Sequence, residues 1–468
     1  AVIHTINVRL SPEQILYTMN HAEDRFVLVN SEFVGLYTAI AGHLTTVEKT
    51  LLLTDLPEKT AELPNLIGEY EQLLAAASTQ YDFQDFDENS VATTFYTTGT
   101  TGNPKGVYFT HRQLVLHTMG VSTIMGAIDS VRLLGTNDVY MPITPMFHVH
   151  AWGLPYVATM LGLKQVYPGR YDPEYLVELW RKEKVTFSHC VPTILQMVLN
   201  AKAAQGTDFG GWKIVIGGSA LNRALYEAAK AKGIQLTAAY GMSETGPLVS
   251  CAHLNDELMA GTEDERTTYR IKAGVPGPLV EAAIVDTDGN FLPADGETQG
   301  ELVLRAPWLT EGYFNEPQKG AELWAGGWLH TGDVATLDSM GVIDIRDRIK
   351  DVIKTGGEWI SSLDLEDLIS RHPAVREVAV VGIADPQWGE RPFALLVIRE
   401  GQVIGARELK EHLKPFVEQG HLSKWAIPSQ IALVTEIPKT SVGKLDKKRI
   451  RVDITEWQAN NSTFLSTL

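Results

Sequence analysis

Ten consecutive residues, Thr97-Thr98-Gly99-Thr100-Thr101-Gly102-Asn103-Pro104-Lys105-Gly106, concentrate the groups that bind oxyanions. Three glycines leave backbone N–H groups open, four threonines add hydroxyls, and Lys105 supplies a nearby positive charge. The chemistry this composition suits is phosphate binding. A Walker loop would have Gly-x4-Gly-Lys-Ser/Thr spacing and run straight into a helix. Here Lys105 is followed by Gly106, and residues 94–96 and 107–109 read as strands on either side. A polar hairpin turn would account for one glycine but not for the whole run.

Further groups with chemical capacity follow. Tyr240-Gly241-Met242-Ser243-Glu244-Thr245 sets one carboxylate between two hydroxyls; Ser243 could equally cap a helix. A hydrolase nucleophile elbow would need glycine where Thr245 stands. Gly326-Gly327-Trp328-Leu329-His330-Thr331-Gly332-Asp333 ends in a Thr-Gly-Asp that alone is a turn signal. Gly356-Gly357-Glu358-Trp359 is either a hairpin turn or a backbone that a narrow ligand can approach closely. Pro438-Lys439-Thr440-Ser441-Val442-Gly443-Lys444 offers a lysine in a loop. His148 and His150 lack a third metal ligand in sight and read as pocket wall or core rather than a metal pair.

In this order, these motifs resemble those of the adenylate-forming (AMP-binding) acyl-CoA synthetase superfamily. The similarity runs from the phosphate loop to Lys444. Within it, His4-Thr5-Ile6-Asn7-Val8-Arg9-Leu10, Asn20-His21-Ala22-Glu23-Asp24-Arg25 and Pro145-Met146-Phe147-His148 are similar to the medium-chain fatty acid and 3-methylmercaptopropionate CoA ligases. The resemblance implies an acid–thiol ligase. Such an enzyme adenylates a short or medium-chain carboxylic acid with ATP, releases pyrophosphate, and passes the acyl group to coenzyme A, leaving AMP.

The same resemblance implies the site. Thr97, Thr98, Gly99, Thr100, Thr101, Gly102 and Lys105 would hold phosphates. Gly218, Ser219, Tyr240, Gly241, Ser243 and Thr245 would surround the nucleotide, with Asp333 on the ribose and Arg348 also reaching it. Glu244 and Thr98 would face Mg²⁺, a hard cation suited to oxygen ligands. Lys444 would bridge the α-phosphate and the attacking carboxylate, a task for a compact mobile charge. His148, Trp152, Gly217 and Gly218 would form the acid pocket, with His148 as a gate at the carboxyl end. Gly356, Gly357, Glu358 and Trp359 would line the coenzyme A tunnel, and Lys350 would be the hinge between two domains.

Alternatives remain at this level. A peptide-synthetase adenylation domain would place an aspartate near His148, and residues 145–153 contain no acid. Aryl-CoA ligases and luciferase-like enzymes share the motifs and stay open. A non-catalytic nucleotide-binding relative is opposed by the joint presence of Lys105, Glu244, Asp333 and Lys444.

The elements that must position these residues read as follows. Ser11, Pro12 and Gln14 mark a helix start with a capping box, and residues 26–29 read as a buried strand. Residues 175–183 and 221–232 read as helices; 186–191, 213–216 and 235–239 read as strands, giving βαβ units and hence a parallel sheet. From Pro276 short strands with turn signals suggest a β-rich subdomain ending near Asp344. After a charged connector at 346–351, a helix from Leu363, strands at 377–382 and 393–398 and a helix at 408–417 form an α+β pattern. The expected fold is therefore α/β. A large domain at 1–347 has parallel sheets, helices and a β-rich subdomain, and a small mobile α+β domain spans 348–468. Family members carry a further N-terminal segment before the position matching Ala1, so the chain is expected to open inside the large domain.

Composition sets the outer limits. The 468 residues exceed one compact core, and 44% apolar with 21% charged content is ordinary for a globular protein. A formal net charge of −17 argues against nucleic acid or an anionic membrane surface as partner. No run approaches the roughly 18 apolar residues of a membrane span, and no signal peptide is visible at the start. Cys190 and Cys251 are too few for a disulfide framework, which points to a reducing, cytoplasmic setting. The partners expected are a small carboxylic acid and coenzyme A, and a homodimer is compatible with them.

Overall fold

A computed structural model describes residues 1–56, 62–97, 103–128, 132–356, 358–441 and 443–455. Its centre is a seven-stranded sheet in the order Val275–Pro276, Leu248–Cys251, Gln235–Gly241, Lys213–Ile216, Phe187–Cys190, Val139–Pro142, Lys164–Gln165. The five strands from Gln235–Gly241 to Lys164–Gln165 run parallel, because each is returned by a helix; the remaining two are antiparallel. Both faces are covered, which explains why these strands read as continuous apolar runs. Along Lys213–Ile216, Ile214 and Ile216 pack into one core with helices Pro173–Glu183, Pro192–Asn200 and Arg223–Ala231. Val215 points to the opposite core, with helices His111–Gly126 and Leu154–Met160.

A smaller sheet pairs Ile3–His4 in parallel with Val91–Thr97, which pairs antiparallel with Lys105–Thr110. The reading of residues 94–96 and 107–109 as strands thus holds. The helix start at Ser11 also holds: helix Pro12–His21 carries the reciprocal Ser11–Gln14 capping box. The expectation that residues 26–29 form a buried strand is corrected. Strand Phe26–Asn30 lies in a separate three-stranded parallel sheet with Lys49–Leu53 and Leu66–Glu69. Helices Pro12–His21 and Val34–Ala41 cover the Val29 face, while Phe26 is 57% and Leu28 52% exposed.

The β-rich stretch is a four-stranded antiparallel sheet, Glu281–Val285, Gly300–Arg305, Leu329–Leu337, Ile343–Arg348. It runs four residues past the end expected near Asp344, since Arg348 still pairs with Asp333. The expected charged connector is therefore half strand and half turn. Beyond it, strands Ile353–Thr355, Glu358–Ile360, Val375–Asp385, Gly389–Ile398 and Gln430–Leu433 form one sheet, packed by helices Ser362–Ser370 and Ala406–Glu418 around a core of their own. Among the described residues no helix is long and apolar enough to cross a membrane.

Candidate active site

The parallel strands end in one cavity of about 1300 Å³, the place where open α/β sheets collect ligands. Strand Lys213–Ile216 leads into Gly217-Gly218-Ser219, and strand Gln235–Gly241 leads through Met242 into the short helical turn Ser243–Thr245; all but Thr245 line the cavity. Two glycines there have steric reasons. A Cβ on Gly241 would stand 1.8 Å from the Pro247 carbonyl oxygen, which no side chain survives. Gly218 has φ +79°, and its Cβ would fall 3.1 Å from Lys444 Cε.

Asp333 and Glu244 are among the carboxylates that line this space. Asp333 is 8% exposed; its Oδ2 accepts from Tyr240 Oη at 2.6 Å and its Oδ1 lies 3.5 Å from Arg348 Nε. Asp333 and Arg348 are direct cross-strand partners, so the antiparallel register itself sets the pair. Burial raises the Asp333 carboxyl above the ordinary range, opposed by Arg348 and the Tyr240 bond. Burial likewise lifts the Tyr240 hydroxyl well up, with Asp333 adding to it, so Tyr240 acts as a donor. Glu244 is 7% exposed, and its Oε1 accepts from Tyr313 Oη at 2.7 Å. Lys105 Nζ stands 4.5 Å from the centre of the same Tyr313 ring, linking strand Lys105–Thr110 to the Glu244 turn.

Lys444 enters the cavity from the C-terminal part of the chain. Burial, helped by Arg348, pushes its ammonium down to about 8, while Asp333 and Glu244 pull it back up. His148 lines the cavity as well; burial and the Lys444 charge lower its imidazole to about 3, so it is neutral at physiological pH. From Val149 to Trp152 the backbone takes four successive left-handed conformations, with φ between +48° and +61°. That conformation costs about 1–2 kcal/mol per residue; buried Val149, Ala151 and Trp152 hold it through packing. The turn sets Trp152 against the strand end, within 3.3 Å of where a Gly217 Cβ would lie. His150 turns away into the core and bonds the Thr93 hydroxyl; burial and His4 lower it to about 4.

Several expected residues fall elsewhere. Thr98, Gly99, Thr100, Thr101 and Gly102, as well as Gly357, lie outside the described residues. Thr97 lines the cavity at the end of its strand. Thr245 does not: its buried hydroxyl accepts from Met242 N at 2.9 Å and bonds the Pro247 carbonyl, shaping the turn. Gly356, Glu358 and Trp359 belong to a hairpin between strands Ile353–Thr355 and Glu358–Ile360, away from the cavity; Glu358 Oε2 accepts from Ser423 Oγ at 2.5 Å. Lys350 sits at the cavity rim in the turn after Arg348, where its carbonyl takes a 3.4 Å bond from Arg451. Sequence reasoning missed Tyr313, a lone tyrosine between two β-rich stretches that carries no local signal. It also missed that Asn7, Arg9 and Thr193 touch the Lys444 loop, although Asn7 and Arg9 stand in a motif already singled out.

An arrangement of buried Asp333 and Glu244, a neutral histidine and a partly desolvated lysine around one cavity suits chemistry on a polyanion. The AMP-binding enzyme family matches residues 1–314, and the AMP-binding enzyme C-terminal domain matches residues 364–444. A long-chain-fatty-acid–CoA ligase of Thermus thermophilus is 40% identical over 96% of this chain and 80% of its own. A 3-methylmercaptopropionyl-CoA ligase of Ruegeria pomeroyi is 39% identical, covering 96% and 82%, and a medium-chain-fatty-acid–CoA ligase of Ectopseudomonas oleovorans 37%, covering 96% and 81%. In fold the chain is similar to the anthranilate CoA ligase AuaEII with anthranoyl-AMP. The TM-score is 0.84 at 23% identity, over 98% of this chain and 84% of that one. With the family matched over two thirds of its length and relatives near 40% identity along almost all of it, the chain belongs to the AMP-binding enzymes, among their AMP-forming acyl-CoA ligases.

Proposed function

We propose that this acyl-CoA ligase activates a short or medium-length linear carboxylic acid, and that the cavity bounded by Asp333, Glu244 and Lys444 is where it does so. One observation carries the reading. Lys444 is brought against Gly218 at the end of the central sheet, with Asp333 and Glu244 among the charges that act on it. A carboxylate attacking an α-phosphate brings two anions together, and a lysine between them offsets the repulsion where water is scarce. In this reading Asp333, held by Tyr240 and Arg348, takes the ribose hydroxyls. The neutral His148 borders the acid's carboxyl end, where an imidazolium would compete with Lys444 for the carboxylate.

Glu244 fits a Mg²⁺ site. No cluster of three metal-ligating side chains exists among the described residues, and Mg²⁺ is commonly held by one or two carboxylates plus substrate phosphates. Glu244 would hold it, with Tyr313 fixing the carboxylate plane. The ion would neutralise phosphate oxygens as the pyrophosphate leaves.

Apolar groups around the strand ends, Trp152, Ile216, Leu221 and Leu248, support an aliphatic acid, as do relatives named for fatty acids and 3-methylmercaptopropionate. The two cysteines are buried and carry no disulfide, which supports the proposed reducing, cytoplasmic setting. The test is CoA-dependent AMP formation across acids from acetate to dodecanoate, with 3-methylmercaptopropionate included. A maximum among these is expected; preference for amino acids or for hexadecanoate and longer would overturn the reading.

A further inference from the structure

Residues 440–444 close on themselves. Thr440 N donates to the Lys444 carbonyl at 2.7 Å, Gly443 N to the Thr440 carbonyl at 2.9 Å, and Lys444 N to Thr440 Oγ1 at 3.2 Å. Such a turn moves as a unit, so whatever holds it decides where Lys444 points. Three donors from the N-terminal part of the chain reach it. Arg9 Nη1 donates to the Ser441 carbonyl at 2.6 Å, Asn7 Nδ2 to Ser441 Oγ at 3.1 Å, and Thr193 Oγ1 to the Gly443 carbonyl at 2.8 Å. Two of the three bonds land on main-chain carbonyls, those of Ser441 and Gly443. The contact therefore reads backbone position rather than side-chain identity.

The donors are themselves fixed. Asn7 is buried, and its Oδ1 accepts from Arg9 N at 3.1 Å, which orients its amide towards Ser441. Just ahead, Ile3–His4 is paired in register with Thr93–Thr94, and Thr93 Oγ1 donates to the Ile3 carbonyl at 2.9 Å. That strand, Val91–Thr97, is followed in sequence by the glycine- and threonine-rich run. Thr193 stands in the first turn of helix Pro192–Asn200.

We infer that Asn7, Arg9 and Thr193 form a dock that positions the Lys444 turn for adenylation, tying the lysine to the strand that carries the phosphate loop. They are positioning residues, acting through Lys444, and the inference rests on the role proposed above for that lysine. A misplacement of about 1 Å in a reacting group can cost on the order of 10²-fold in rate. Three short bonds on a closed turn are the means of preventing it.

The experiment separates the two half-reactions in Arg9→Ala, Thr193→Val, Lys444→Ala and the double variant Arg9→Ala/Lys444→Ala. Removing a charge-assisted or buried donor should slow acyl-AMP formation from acid and ATP by about tenfold or more. Thioester formation from preformed acyl-AMP and CoA should stay within about twofold of the parent, and Thr193→Ser should restore adenylation. In the Lys444→Ala background, Arg9→Ala should add no further loss, because a residue acting only through the lysine has nothing left to position. Equal loss in both half-reactions, or further loss in the double variant, overturns the dock. Normal adenylation in Arg9→Ala and Thr193→Val beside an inactive Lys444→Ala overturns the dock alone. Normal adenylation in Lys444→Ala removes the lysine's role and the dock with it.

Discussion

Glu244 faces the cavity with one carboxylate oxygen already engaged by Tyr313. Glu244→Gln keeps the shape and removes the charge, so weaker use of Mg²⁺-ATP is expected, since Mg²⁺ favours anionic oxygen ligands. Titrating Mg²⁺ against both forms checks this; an unchanged rate and Mg²⁺ dependence would take Glu244 out of the site. Lys444 yields a sharper expectation. Its ammonium is pushed down to about 8 in the free protein, so the charge that adenylation needs is lost as pH rises through that value. The kcat/KM for acyl-AMP formation, which reports free-enzyme groups, should fall on an alkaline limb near pH 8. In Lys444→Arg that limb should vanish, because guanidinium does not deprotonate in this range. Lys444→Ala should lower adenylation by about 10²–10³, with little effect on thioester formation from preformed acyl-AMP. His148 should contribute no limb between pH 6 and 8, since its imidazole lies near 3. A limb near 6.5 that disappears in His148→Asn would contradict that placement.

At the level of elements, the turn after strand Ile343–Arg348 separates residues that the two half-reactions would need. Lys444 lies in the cavity, whereas the Gly356 hairpin does not. One arrangement cannot serve both, and a pivot near Lys350 would exchange them by changing a few backbone torsions. Local bonding permits it: the turn is closed by Asp351 N and Val352 N on the Arg348 carbonyl at 2.8 and 2.9 Å. Lys350→Pro fixes φ and removes a donor there. Acyl transfer to CoA should fall more than acyl-AMP formation. Equal loss in both, measured in single turnover, would argue against a pivot at this residue.

Across the whole molecule, a buried polar chain joins the four-stranded sheet to the C-terminal part. Asp347 Oδ2 accepts from Ser362 N and Oγ, both at 2.6 Å; Ser362 Oγ takes a bond from Lys447 Nζ at 2.5 Å; Lys447 pairs with Glu366 at 2.8 Å. Burial raises the Glu366 carboxyl, and Lys447 is the main force lowering it. Lys447→Met leaves that carboxylate buried and unpaired, which should cost about 3–5 kcal/mol. The sign with pH follows. A carboxyl held above its unfolded value binds protons more tightly in the folded state, so stability is fullest below the unfolded value and is lost as pH rises through the folded one. Both forms lose this stability as pH rises above the unfolded carboxyl value, and the thermal midpoint of Lys447→Met should fall further behind the parent once pH passes the parent's own raised Glu366 value. A constant offset across pH would show that Glu366 is not the group left exposed to the cost.

Much of this protein was legible in its residues because the information is local. The Ser11–Gln14 capping box, the apolar run at Lys213–Ile216 and the two strands around the glycine–threonine loop each need only neighbouring residues to be read. Carboxylate, tyrosine and lysine candidates were named through the resemblance of their motifs, taken in order along the chain, to the AMP-binding enzymes. What tertiary structure decided was which of them meet. Strand register alone makes Asp333 and Arg348 partners, and crowding by Pro247, distant in no sequence pattern, makes Gly241 obligatory. Phe26 and Leu28 are apolar yet exposed, since burial depends on whether another layer covers that sheet face. Thr245 was assigned to the ligand by its motif, but its hydroxyl faces its own turn. The contacts of Asn7, Arg9 and Thr193 with Ser441 and Gly443 span 250 to 434 positions. Propensity and periodicity act over a turn or a strand; side-chain convergence across that separation is set only when the layers pack.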